Sequence, residues 1–326
     1  MKKLSISELT DFQIGHAQDL DALTGCTTVI CQKGAVAGVD VRGGAPGTRE
    51  TDLLDPRNTM EQVHAIFLAG GSAFGLEVGS GIMKWLEEKQ VGFDTGIAKV
   101  PIVPGAILFD LGIGHANVRP DSMMGYQAAK NAWEQKADIA LGNVGAGTGA
   151  TVGKLLGSDY MMKSGIGYAG FQIGDIQVAA LVAVNAVGDV FDPDANKQLA
   201  GLYDRDQQQL LQTNEVFLQQ FSHVKNKTDQ QGVNTTIGIM MTNAKLSKAQ
   251  INKLASIGHN GIARTIQPAH TSMDGDTLFA MSSSMVEAPL DLVGIIGTKA
   301  VELAILEAIK QADSIENIPA YKSLSK

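Results

Sequence analysis

Gly232-Val233-Asn234-Thr235-Thr236-Ile237-Gly238 marks a change in the character of the chain. Upstream, Asp204 to Gln231 reads DRDQQQLLQTNEVFLQQFSHVKNKTDQQ, polar and Gln-rich with scattered apolar residues, a composition unable to bury a core of its own. Downstream, Thr235-Thr236-Ile237-Gly238-Ile239-Met240-Met241-Thr242 is short, apolar and partly β-branched, as expected of a strand covered on both faces. A threonine opening a rigid strand after an accessible segment is how an internal self-cleavage site would look. Cutting Asn234–Thr235 gives Thr235 a free α-amine beside its own hydroxyl, so that one residue carries base and nucleophile. Read locally, Asn-Thr-Thr is also simply a strand opening after a turn.

The 326 residues, 44% hydrophobic with 37 glycines, suffice for one large sandwich or two modest domains, and a single domain over 1–326 is the preferred reading. A net charge of −8 without a basic block argues against nucleic acid or an anionic membrane as partner. Met1-Lys2-Lys3 leads into Leu4-Ser5-Ile6-Ser7-Glu8, not into an apolar signal core, and no apolar run reaches the length of a membrane span. Cys26 and Cys31, five apart in one strand candidate, face opposite ways and are not expected to pair, which suits a cytoplasmic protein.

Strands are expected at Thr27 to Cys31, Val36 to Val41, His64 to Leu68, Val178 to Asn185, Thr235 to Thr242 and Asp276 to Met281. Leu76, Gly79, Ile82, Met83 and Leu86 recur at helical spacing, as do Val301, Ala304, Ile305 and Ala308. Ser247-Lys248-Ala249-Gln250 is a capping box opening a third helix. Strands with helices between and after them point to a layered α/β sandwich.

Several chemical motifs fail on inspection. GATVGK lacks the phosphate-loop Gly at position 148 and the Ser or Thr after Lys154. Gly145, Gly147 and Ala150 have dinucleotide-loop spacing, but no acid lies between Asp159 and Asp175 to hold a ribose. Gly70-Gly71-Ser72-Ala73-Phe74 breaks the nucleophile elbow at its last position, leaving Ser72 as a helix starter. His16, His64, His115, His223, His259 and His270 show no zinc-ligand spacing, and neither metal nor cofactor is expected. His270 alone stands out, beside Thr271-Ser272-Met273-Asp274-Gly275-Asp276 at a strand entrance; the same run is also a solvated Asp-Gly turn.

TGCTTVIC (Thr24 to Cys31), VRGGAPGTRETDLLDP (Val41 to Pro56), LAGGSAFGLE (Leu68 to Glu77), GNVGAGTGATVGK (Gly142 to Lys154), NTTIG (Asn234 to Gly238) and HTSMDGDTLFA (His270 to Ala280) resemble, in order, the blocks of the DmpA-type L-aminopeptidase/D-esterase and β-peptidyl aminopeptidase family. The likeness runs from residue 24 to about 311. It implies a four-layer αββα sandwich of the DmpA/ornithine-acetyltransferase type, Ntn-hydrolase-like, cut before Thr235 into chains 1–234 and 235–326 that stay together and assemble into a homo-oligomer, a tetramer of processed heterodimers. It also implies a catalytic set. Asn185 matches the family's oxyanion asparagine, Asp276 matches its acid in kind, and Asp274 stands where β-peptidyl members carry serine. A family tyrosine aligns loosely with Phe109, which has no hydroxyl.

On this reading the Thr235 amine, with a reference pKa of about 7.7–8.0, takes the hydroxyl proton as Thr235 attacks a short peptide, amide or ester. Asn185 and a backbone amide of Gly142 to Gly149 stabilise the oxyanion. Asp276 orients the amine or binds the substrate ammonium, a task Asp274 shares. Two rivals remain: an acyltransferase of the ornithine acetyltransferase kind, and an uncut small-molecule binding protein.

Overall fold

Two sheets are joined by one long strand. The computed structural model describes residues 1–135, 137–222 and 234–324. The principal strands are Gln13–Asp19 (β1), Thr24–Val41 (β2), Val63–Ala69 (β3), Gly105–Ile107 (β4), Ile166–Ile173 (β5), Ile176–Asn185 (β6), Thr235–Lys245 (β7) and Thr277–Glu287 (β8). The principal helices are Val78–Glu88 (α1), Ser122–Glu134 (α2), Lys248–Thr265 (α3) and Leu290–Gln311 (α4).

One sheet runs β5-β6-β7-β8-β2, with β7 and β8 parallel and joined through α3. The other is built on β2 and contains β1, β3 and β4. The first half of β2 pairs with β3, the register slips between Ile30 and Ala35, and the second half pairs with β8. The two strands expected at 27–31 and 36–41 are thus one strand that changes sheets. Gln32-Lys33-Gly34 interrupts the apolar pattern at that passage, which is why the sequence read as two.

Alternation along the strands sorts side chains into layers. Ile237, Ile239 and Met241 of β7 pack between the sheets with Phe279, Ala183, Val29 and Leu68, whereas Met240 faces outward onto α3 and α4 with Val182 and Leu278. On the opposite outer face, Phe67 and Ile30 meet Ile82, Leu86 and Ala129 of α1 and α2. The layers are therefore helix, sheet, sheet, helix, as expected. Cys26 lies in the outer layer and Cys31 in the inner one, both buried and free.

Ser247 and Gln250 form the expected reciprocal cap on α3. Ser72 instead begins a 3₁₀ turn, Ser72–Glu77, that has no side-chain cap, before α1 starts at Val78. The polar run, which cannot bury a core of its own, carries a helix, Thr213–Ser222. Its first amide and hydroxyl are held by buried Asp189, at 2.6 and 2.7 Å. The end of that run, from His223 to Gln231, lies outside the described residues with Gly232 and Val233. Among the described residues, no helix is long and apolar enough to cross a membrane.

Candidate active site

The register of β6 against β7 sets Asn185 opposite Thr235. Both share parity with the inner-layer residues of their strands, Ala183 and Ile237, so both side chains face the space between the sheets, at its rim. Asn234, just before β7, bridges to Asp274. The Gly275 amide donates to the Asn234 carbonyl at 2.8 Å, and the Thr235 hydroxyl donates to that same carbonyl. A hydroxyl and an N–H thus converge on the peptide bond that the sequence singled out. A β-carbon at position 275 would lie 2.9 Å from Thr235 Oγ1 and 2.8 Å from the Ala45 carbonyl, so only glycine brings this amide so close.

Asp276 is 1% exposed and fully engaged. Oδ1 accepts the Thr236 amide at 2.6 Å, and Oδ2 accepts the His270 amide and ring Nδ1, each at 2.9 Å. Asp274, equally buried, accepts the Thr271 amide at 3.0 Å and its hydroxyl at 2.5 Å. Loss of hydration, reinforced by the neighbouring Asp276 charge, pushes Asp274 up to about 6. The loop is clamped from outside by Arg42, Gly43 and Ala45, whose amides donate to the carbonyls of Asp276 and Asp274. At Gly43 a β-carbon would come within 2.3 Å of both Asp274 O and Asp276 N.

Asn185 is wholly buried. Its Oδ1 accepts the Thr151 amide at 3.0 Å and Lys154 Nζ at 2.8 Å, and its Nδ2 donates to the Phe109 carbonyl at 2.8 Å. Phe109 thus contributes its backbone and not its ring. One N–H of Asn185 is committed there; an amide nitrogen carries two.

Lys154 is the site residue that sequence reasoning missed. Its ammonium also bonds the Asn185 carbonyl at 2.8 Å, and burial pulls its pKa down to about 7 against the attraction of Asp274 and Asp110. Asp110 accepts the Thr24 hydroxyl and the Gly71 amide, each at 2.7 Å. The available signal is a lone lysine closing an apolar, glycine-rich stretch, Gly142 to Lys154, whose glycines draw the attention. The amides of Gly145 and Ala146 in that stretch are taken by Gln18 and Thr27 side chains, at 3.1 and 3.0 Å. A further backbone donor, the Gly275 amide, reaches the Asn234 carbonyl. All six sequence blocks quoted above therefore converge on one place. Among the described residues no cluster of three or more His, Cys, Asp or Glu is arranged for a metal.

The model of peptidase family S58 matches residues 5–321. The chain belongs to that family. An uncharacterised aminopeptidase of Mycobacterium leprae is 39% identical over 347 aligned positions, covering 97% of this chain and 93% of the relative. A 6-aminohexanoate-oligomer endohydrolase of a Kocuria species is 33% identical, over 85% of this chain and 74% of the relative. Among solved structures, the L-aminopeptidase D-Ala-esterase/amidase of Ochrobactrum anthropi, described as a variant of the Ntn-hydrolase fold, superposes with a TM-score of 0.65 at 17% identity, covering 94% and 86% of the two chains. A Burkholderia β-aminopeptidase gives 0.68 at 18%, covering 98% and 92%. The S58 member described here is thus a hydrolase of the peptidase class on the Ntn-hydrolase-like αββα fold, and the DmpA-type resemblance is borne out.

Proposed function

We propose that this protein is a self-cleaving threonine aminopeptidase, in which Thr235 first cuts the bond before itself and then serves as nucleophile. The observation that carries this is the Asn234 carbonyl, held by the Gly275 amide with the Thr235 hydroxyl directly against it. In the first step Thr235 Oγ1 adds to the Asn234 carbonyl carbon and gives up its proton. The Gly275 N–H stabilises the resulting oxyanion. The C–N bond breaks, Thr235 nitrogen takes a proton, and an ester joins Asn234 to Thr235 Oγ1. Water then hydrolyses the ester, leaving a carboxylate at 234 and a free amine and hydroxyl at 235. Asp274 and Lys154, whose pKa values lie at about 6 and about 7, are the nearby groups suited to receive the hydroxyl proton.

In the mature enzyme the Thr235 amine activates its own hydroxyl, and the second N–H of Asn185 donates to the substrate oxyanion. Asp276, bonded to the Thr236 amide, orients the start of β7. Asp274 takes the substrate ammonium, and removal of N-terminal residues from short peptides, amides or esters follows from that charge. Reaction with a slowly deacylating aminoacyl ester tests the assignment. Peptide mapping should find the acyl group on the peptide that begins at Thr235, and an acyl group on any other residue overturns it. Acyl transfer to an added amine in preference to water would favour an acyltransferase.

The names of the 33% identical relatives favour a second reading, endo-acting hydrolysis of linear amide oligomers. Product lengths from a defined oligopeptide separate the two. Single residues released stepwise belong to an aminopeptidase, whereas internal fragments belong to an endohydrolase.

A further inference from the structure

His270 lies against this site but has no part in the steps above. Its φ of +58° is in the left-handed region, unusual for a residue with a β-carbon, so the surroundings hold it there. Its amide and Nδ1 both reach Asp276 Oδ2 at 2.9 Å. A carboxylate only accepts, so Nδ1 carries the hydrogen. The ring meets His259 of α3 edge-on, with centroids 4.8 Å apart and planes at 70°. His259 is fixed in turn, its Nε2 donating to the Asp40 carbonyl of β2 at 2.9 Å. Burial drives the His259 pKa down to about 4, so it is uncharged near neutrality and does not compete for Asp276. On the far side, Asp276 Oδ1 holds the Thr236 amide at 2.6 Å. A continuous set of contacts therefore runs from Asp40 through His259, His270 and Asp276 to the residue adjoining Thr235. Gly275, whose amide holds the Asn234 carbonyl, sits on the same loop.

We propose that His270 is a positioning residue for Thr235: braced by His259, it locks Asp276 onto the Thr236 amide and so aligns both the start of β7 and the Gly275 donor. The inference rests on Thr235 being the nucleophile. Without the Nδ1 donor, Asp276 Oδ2 keeps only the His270 amide, its hold on the Thr236 amide loosens, and the loop carrying Gly275 shifts against Asn234. The loss then falls on the reacting geometry more than on substrate affinity.

The test uses three substitutions in the full chain. His270→Gly accepts the left-handed backbone but has no side-chain donor. His270→Asn accepts it also and offers an amide N–H to Asp276. His270→Phe keeps a ring against His259 without the donor. Self-processing rate, and kcat and KM on an L-aminoacyl amide, are measured beside Thr235→Ala. For Gly and Phe, processing rate and kcat should fall about tenfold or more, the scale of one lost hydrogen bond to a charged group, with KM within about twofold. Asn should recover most of the loss. Parent-like rates in all three, or an Asn variant no faster than Gly, overturn the proposal, as does a loss confined to KM. Retained hydrolysis by Thr235→Ala would instead sink the underlying assignment, whatever His270 does. Should the variants fail to fold, ¹⁵N spectra of the histidine rings in the uncut Thr235→Ala chain decide: the proposal requires Nδ1–H at neutral pH, and the Nε2–H form of His270 refutes it.

Discussion

Replacing Asn185 separates a catalytic donor from a structural one, because the two roles predict opposite rankings of two variants. Asn185→Ala leaves the Thr151 amide and the Phe109 carbonyl buried without the partners they now have at 3.0 and 2.8 Å. At about 1–3 kcal/mol for each orphaned group, the fold should lose about 2–6 kcal/mol. Asn185→Asp keeps an acceptor for Thr151 and for Lys154 and orphans only Phe109, at about 1–3 kcal/mol. In the transition state the order reverses. Both variants lose the N–H donor, a change that commonly lowers kcat by about 10²–10³, and aspartate adds a charge that repels the oxyanion. The assay is kcat on an aminoacyl amide, per processed molecule, beside urea unfolding of the same preparations. The account expects Ala to be the less stable and Asp to be at least as slow. If kcat losses follow stability losses, with Asp the faster and near the parent, Asn185 is not the oxyanion donor.

Thr235→Ser should still process and hydrolyse, more slowly or not, since hydroxyl and future amine survive; complete inactivity in a folded serine variant would count against the mechanism. Self-processing of freshly refolded chain should speed up as pH rises through about 6 to about 7 and then level off, because Asp274 and Lys154 accept a proton only once deprotonated. No free Thr235 amine exists yet to contribute a limb of its own, and equal rates at pH 5 and pH 8 would remove both groups as bases. Asp276→Asn should slow turnover about tenfold or more by weakening a charge-assisted bond to the Thr236 amide. N-acetylated peptides should be poor substrates for the parent, and good turnover of one ends the aminopeptidase reading. After cutting, the two chains should co-elute without denaturant, since Ile237, Ile239, Met241, Leu278, Phe279 and Met281 alone contribute at least about 9 kcal/mol of burial at about 1.5 kcal/mol each. Spontaneous separation in buffer would contradict the interleaved sheet.

What the sequence displayed, and what it hid, divides along physical lines. The central strands were legible because continuous apolar, β-branched runs are forced by burial on both faces, and α3 because its capping box is a local signal. Thr235 stands out from its local context, whereas Asn185, Asp274 and Asp276 are picked out by the family resemblance, and the fold brings all four to one rim. The passage of β2 between sheets was not legible, since it depends on a register slip against β3 that only tertiary pairing creates. Helix α2 went unread because its buried face is mostly alanine and glycine, Gly125, Ala128, Ala129 and Ala132, which leaves little periodic contrast. Lys154 and the Gly275 amide were invisible for a different reason. A backbone donor has no sequence signature, and the lysine acquires its lowered pKa from burial that only the folded chain creates, against the attraction of Asp274 and Asp110. His270 is visible in the sequence as an oddity, but its pairing with Asp276 depends on a left-handed backbone at His270 that no local pattern announces.

The central claim is that Thr235 cuts the chain before itself, and denaturing mass spectrometry of the purified protein tests it most directly. The account predicts two species that sum to the 34.3 kDa chain plus one water, the smaller a 92-residue fragment with threonine at its amino terminus, and a single uncut species for Thr235→Ala. A single uncut chain in a fully active preparation, or a cut that persists in Thr235→Ala, would contradict it.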